Sequence, residues 1–160
     1  MLTCVFENGN RGQLRHVVTG VVLLDAAGKN ILLVKRAPHL TCPNLWALPG
    51  GYLDQGETVS QGARREAREE TGHEVKILYL LQVIDNPIRR KEDRQNVEFT
   101  FVARAIRPVA LPDREISTVR WFDLQHIPTE TEFAFDHRSS VMLYRRYCRH
   151  SFSLPVFTSR

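Results

Sequence analysis

Three glutamates, Glu66, Glu69 and Glu70, crowd into about one turn of a helix-spaced stretch, SQGARREAREETG at 60–72. At about 100° per residue, Val59, Ala63, Glu66 and Glu70 lie within roughly 60° of one another. Gly62 and Glu69 flank that stripe on one edge and Ala67 on the other. The stripe therefore starts as a small apolar surface fit to pack on a sheet and ends as carboxylates. Arg64 and Arg68 point to the far side, and Arg65, four residues before Glu69, is the arginine placed to pair along the helix.

A solvated helix laced with ion pairs would carry opposite charges at i, i+4. Here Glu66 and Glu70 are alike at that spacing, as are Arg64 and Arg68, and such pairs destabilise a helix by a few tenths of a kcal/mol each. The acidic group also continues the face that packs inward, where a carboxylate without a positive partner is costly. Oxygen atoms gathered this closely suit a hard divalent cation. Mg²⁺, held through carboxylates, water and substrate phosphate, is the commonest such case, and Mn²⁺ would serve as well.

With Gly51, five residues, Glu57, seven residues and then REAREETG at 65–72, the stretch resembles the Nudix box. That box is the signature of hydrolases acting on a nucleoside diphosphate linked to another group. Gly51, Glu57, Arg65, Glu66, Glu69, Glu70 and Gly72 stand at its fixed positions; the last position, usually aliphatic, is His73. The resemblance implies an α/β/α sandwich, a mixed sheet flanked by helices. It also implies Glu66 and Glu70 as the principal metal ligands, with Glu69 as a third ligand or as the residue that deprotonates water. Arg65 would orient the glutamates, Glu57 would anchor the loop, and Gly50 and Gly51 would let the backbone approach the metal, where a side chain would intrude. Gly72 would end the helix.

A further base or ligand from outside the helix is common among such enzymes. Glu115, six residues before Trp121, matches that loop position in MutT-type relatives. Glu98 competes with it: it alternates with Val97, Phe99 and Phe101 and so faces away from them, unless it is simply an exposed strand residue. The segments DNPIRRKEDRQNVEF and AFDHR resemble those of family members that cleave ADP-ribose or related dinucleotides. Arg36, Arg89, Arg94 and Phe135 are the candidate substrate contacts; Arg90 and Phe133 are the alternatives within those segments. The expected activity is thus Mg²⁺-dependent cleavage of a pyrophosphate bond in a small nucleotide, leaning to ADP-ribose. The rivals are a MutT-type triphosphate pyrophosphohydrolase, an RNA-decapping enzyme, and a non-catalytic nucleotide sensor; the intact glutamates speak against the last.

The elements that must position these residues are legible in the apolar patterning. Runs at 16–25 and 30–36 read as a hairpin joined by AAGK, and WALPGG at 46–51 as a short strand closed by Pro49, Gly50 and Gly51. The helix spans 58–71, with Thr58 and Gln61 at capping-box spacing and Gly72 where a left-handed residue belongs. Strands follow at 74–85, 96–106 and 118–124, separated by the charged loop 86–95 and the Pro-punctuated loop 107–115. Residues 136–148 have helical spacing in Val141, Leu143, Tyr144 and Tyr147. The tail 151–160, broken by Pro155, has no assigned role. Strands before, between and after two helices argue a mixed sheet with helices packed on it.

The 160 residues fit one domain, with a core at about 16–148, long enough to bury roughly 70% of its unfolded surface. No apolar run reaches the ~18 residues of a membrane span, and the N-terminus lacks the apolar core of a signal peptide, which places the chain in the cytoplasm. Cys4, Cys42 and Cys148 are scattered, without C-x-x-C, so neither a disulfide framework nor a zinc site is indicated. A net charge of +4, with arginine far outnumbering lysine, suits phosphate oxygens. It is compatible with a nucleic-acid surface, which the spread of the charges does not favour, and equally with a phosphorylated small molecule. A homodimer is compatible with the sequence too.

Overall fold

Residues 2–88 and 95–159 are described in the computed structural model. An N-terminal hairpin of β1 (Leu2–Val5) and β2 (Arg11–Leu14) forms a two-stranded sheet of its own. Then come β3 (Val17–Leu24), β4 (Asn30–Arg36), the two-residue β5 (Trp46–Ala47), α1 (Val59–Thr71), β6 (His73–Ile84), β7 (Val97–Pro108), β8 (Ile116–Asp123), α2 (His137–Arg149) and β9 (Val156–Thr158). The larger sheet runs β5-β4-β3-β7-β6-β9, with β8 also paired to β4. It is mixed: β3 runs parallel to β7 and β9 parallel to β6, while the other pairs are antiparallel.

Both faces of β3 are apolar because both are covered. Val21 and Leu23 pack with Ala63 and Ala67 of α1, whereas Val22 and Leu24 pack with Val141 and Tyr144 of α2. This is the α/β/α sandwich expected, and it buries apolar side chains in two layers rather than one.

Two features open the sheet for a site. β4 pairs with β3 only at Ile31 and Leu32, then turns to β5 at Val34 and Lys35 while β8 follows its length. The edge of β3 that β4 leaves is taken by the segment after β5. Val21 N–H donates to Pro49 O at 2.9 Å, Thr19 N–H to Gly51 O at 2.8 Å, and Leu53 N–H to Val17 O at 3.1 Å. Gly50 and Gly51 are thereby fixed beside α1.

The expected caps of α1 are present. Thr58 and Gln61 make the reciprocal capping box, and Gly72, at φ 70°, donates its N–H to Arg68 O at 2.9 Å. Gly72 O then accepts from Val109 N–H at 2.7 Å, and Glu69 O from Asp113 N–H at 2.9 Å. The loop after β7 is thus folded back onto the end of the helix. His73 begins β6, its Nδ1 2.8 Å from Thr71 O and its ring edge-on to Trp121. The tail is not structureless: β9 extends the sheet at the free edge of β6.

Candidate active site

Helix α1 turns its small residues Gly62, Ala63 and Ala67 inward, and the same face ends in Glu70, buried, and Glu66, half-buried. Glu66, Glu69, Glu70, Gly50 and Gly51 line one cavity of about 620 Å³. The fit between loop and helix is tight. A β-carbon on Gly51 would stand 2.6 Å from Glu66 Oε1, and Gly50 N–H donates to Glu70 Oε2 at 2.9 Å.

Arg65 organises the carboxylates. Its Nε and Nη2 donate to the two oxygens of Glu57 at 2.8 and 3.0 Å, and Nη2 also reaches Tyr52 O at 2.9 Å. Nη1 donates to Glu66 Oε1 at 2.7 Å and to Glu69 Oε2 at 3.1 Å. Glu57 therefore stands behind the cavity, not in it, and ties the loop to the helix through Arg65. Its carboxyl is held below the usual range by Arg65. Burial raises Glu66, with Arg65 opposing and the charges of Glu69 and Glu115 adding to the rise. Burial raises Glu70 well above the usual range; the Gly50 N–H and Arg36 oppose this, and Glu66 and Asp113 reinforce it.

The loop folded onto α1 brings Glu115 to the cavity, and with it Asp113, which the sequence reading passed over. Glu115 N–H donates to Asp113 Oδ1 at 2.9 Å, so the two side chains belong to one turn. Glu98 faces away from Val97, Phe99 and Phe101, but it is not an exposed strand residue. It is buried, on the α2 side of the sheet, and lines the same cavity. Arg36 and Phe135 lie on the cavity wall together, with the guanidinium 5.1 Å from the ring centroid. Phe133 is fully buried, bridged to Trp46, and serves the core instead. Arg89, Arg90 and Arg94 lie outside the described residues. Asp136 and His137, in the AFDHR segment and at the start of α2, stand within reach of Glu98.

A model of the NUDIX domain matches residues 14–144. The chain belongs to the Nudix family. It is 33% identical over 132 residues to an ADP-ribose pyrophosphatase from Methanocaldococcus jannaschii, covering 81% of this chain and 72% of that one. It is 29% identical over 152 residues to a human 8-oxo-dGDP phosphatase, covering 91% of this chain but only 44% of that longer protein. Among solved structures, a Nudix hydrolase from Nitrosomonas europaea superposes with a TM-score of 0.73 at 25% identity, over 98% of this chain and 92% of that one. As a Nudix hydrolase, the chain acts on pyrophosphate bonds. Among the described residues no helix is long and apolar enough to cross a membrane.

The donor set fits a hard divalent cation. Glu66, Glu69, Glu70, Asp113 and Glu115 supply only oxygen atoms to one cavity, and the backbone at Gly51 leaves no room for a side chain against Glu66. The buried carboxylate of Glu70 beside Glu66 is the group that most needs a positive charge.

Proposed function

We propose that this Nudix hydrolase is a Mg²⁺-dependent enzyme (Mn²⁺ substituting) that cleaves the pyrophosphate bond of ADP-ribose or a closely similar nucleoside diphosphate sugar. The observation that carries the reading is that Glu66, Glu69, Glu70, Asp113 and Glu115 line one cavity that also holds the Arg36–Phe135 pair. The archaeal relative, an ADP-ribose pyrophosphatase matched over most of both chains, supports the choice of substrate.

Glu66 and Glu70 would hold the cation, with Glu69 and the backbone at Gly50 beside them; bound there, it would supply charge to neutralise the diphosphate and to acidify water. The chain's own residues do the rest. Glu115 takes the proton from the attacking water, with Glu69 as the alternative base. Oxygen from water forms a bond to one phosphorus in line with the bridging oxygen. The bond from that phosphorus to the bridging oxygen breaks, and its electron pair leaves with the departing phosphate. Arg65 keeps Glu66 and Glu69 in register, because it donates one hydrogen bond to each while three more, to Glu57 and Tyr52 O, fix its guanidinium. The flat ring of Phe135, with Arg36 against it, stacks on the base.

The test is chromatography of products from ADP-ribose with and without Mg²⁺. AMP and ribose 5-phosphate in equal amounts, lost in excess chelator and regained on adding metal, is the expected result. Undiminished cleavage in chelator rejects the metal assignment, and no cleavage under any metal rejects the substrate.

A further inference from the structure

The hydrolytic site accounts for the like-charged pair Glu66 and Glu70, but not for the pair Arg64 and Arg68 on the same helix. These two arginines stand about one turn apart on α1, both exposed, at a spacing where like charges destabilise a helix. Neither side chain makes a hydrogen bond or an ion pair among the described residues. Arg65 between them differs, since Glu57, Glu66 and Glu69 take its guanidinium. Two neighbouring guanidiniums without a counter-charge suit an anion, and their planar forks match the oxygens of a phosphate.

The arginines do not stand on an open helix surface. With Ala110, Leu111 and Asp113 of the loop after β7 they line a second cleft, of about 570 Å³. The loop wall is fixed through its backbone: Val109 and Ala110 N–H donate to Gly72 O at 2.7 and 3.1 Å, and Asp113 N–H to Glu69 O at 2.9 Å. The two acids of the cleft are engaged, Glu69 by Arg65 Nη1 at 3.1 Å and Asp113 Oδ1 by Glu115 N–H at 2.9 Å. Three arginines therefore face two carboxylates, and the positive excess lies at Arg64 and Arg68. Beside them Ala110 and Leu111, the latter 89% exposed, add an apolar surface.

Charge and surface together define the ligand class. A phosphate monoester meets both guanidiniums, and the organic group it carries shields Leu111 from water, whereas inorganic phosphate fills only the charged half. We propose that Arg64, Arg68 and Leu111 form a binding site for an organic phosphomonoester, separate from the cavity in which the diphosphate is cleaved. Arg65, Glu69 and Asp113 line both spaces and are the wall between them. Hydrolysis of a diphosphate that joins two organic groups releases two organic phosphomonoesters, so the neighbouring reaction supplies this class of ligand. That source rests on the hydrolytic reading; the site itself does not.

Calorimetry in chelator, with no cation to draw phosphate into the main cavity, compares inorganic phosphate with phenyl phosphate on the wild-type chain. Phenyl phosphate is expected to bind about threefold more tightly or better, because its ring covers apolar surface. Arg64→Gln and, separately, Arg68→Gln should each weaken both probes about fivefold or more. Leu111→Ser should bring phenyl phosphate down to the affinity of inorganic phosphate and leave the latter unchanged. Glutamine matches arginine as a helix former and relieves a like-charge pair, so Tm of the arginine variants should stay within about 3 °C of wild type. Arg36→Gln, in the main cavity, should leave both affinities within about twofold, as expected of a residue outside the contact. No saturable binding of either probe, equal affinity of the two, or a loss in Arg36→Gln with none in the Arg64 and Arg68 variants overturns the site. So does a fall in kcat for ADP-ribose in those two variants without added phosphate, which would place the arginines in the hydrolytic cavity. If the probes bind as described and the wild-type chain cleaves no ADP-ribose, the phosphomonoester site stands and the hydrolytic reading falls.

Discussion

The Glu70 carboxylate, buried in the last turn of α1, accepts one hydrogen bond, from Gly50 N–H at 2.9 Å, and faces the charges of Glu66 and Asp113. Burial holds its pKa well above 4.5, so its contribution to stability is complete below about 4.5 and is lost as pH rises through the folded value. In Glu70→Gln that dependence is gone. With chelator present, Tm of the variant should gain on wild type as pH rises from about 5 to about 8. Added Mg²⁺ should raise Tm of wild type and much less that of the variant, since a ligand that binds the folded state stabilises it. Activity at saturating Mg²⁺ should fall on the order of 10²-fold or more. Thermal melts at several pH values and a steady-state assay check both, and a variant within a few-fold of wild type removes Glu70 from the metal site.

Arg65 is the next test, because its guanidinium holds the loop residue Glu57 and the helix residues Glu66 and Glu69 at once. Lysine keeps the charge but not the fork, so Arg65→Lys should lower Tm by roughly 5 °C or more. It should also lower kcat on the order of tenfold, by loosening the glutamates. Glu57 titrates below 4.5 in the fold, so its share of stability is present above about 4.5 and is lost as pH falls through the folded value. The Tm difference between wild type and variant should therefore shrink in acid. A difference that is flat down to about pH 3 would show that the Glu57–Arg65 pair does not stabilise the loop.

What the sequence disclosed here follows from locality. The capping box of Thr58 and Gln61, the left-handed Gly72 and the stripe from Val59 to Glu70 are set within a few residues, so spacing alone reveals them. Glu98 stayed open between a site carboxylate and an exposed strand residue, because alternation reports which way a side chain faces and not what lies there. With α1 on one face and α2 on the other, facing away from Phe99 means facing α2. Asp113, His137 and β9 were missed for a related reason. Asp113 reaches the cavity because its loop hydrogen-bonds to the end of α1, His137 is held by Leu48 N–H from the segment after β5, and β9 forms by pairing with β6.

The base is decided by kinetics. Glu115 shares its turn with Asp113 and lines the same cavity as Glu66 and Glu69. Glu115→Gln should lower kcat by 10²-fold or so with little change in KM, the mark of an interaction made in the transition state. Glu69→Gln should cost less, since Glu69 is half exposed and shares Arg65 with Glu66. If instead Glu69→Gln is the more damaging of the two in kcat, the base lies on the helix and Glu115 is at most a ligand.

The substrate itself gives the sharpest separation among family members. ADP-ribose should be cleaved with a higher kcat/KM than any simple nucleoside triphosphate. A triphosphate lacks the second sugar beyond the diphosphate and with it the hydroxyl groups that polar side chains of the cavity would hold. One lost hydrogen bond to a charged group is worth about 1.5–3 kcal/mol, so a preference of tenfold or more is expected. Hydrolysis in water enriched in ¹⁸O should label a single product, as one in-line displacement at one phosphorus requires. The product that carries the label identifies the phosphorus attacked. The human relative that acts on 8-oxo-dGDP makes oxidised dGDP and dGTP the competitors to include. A preference for either by an order of magnitude would reject the ADP-ribose assignment and leave the membership of the family untouched.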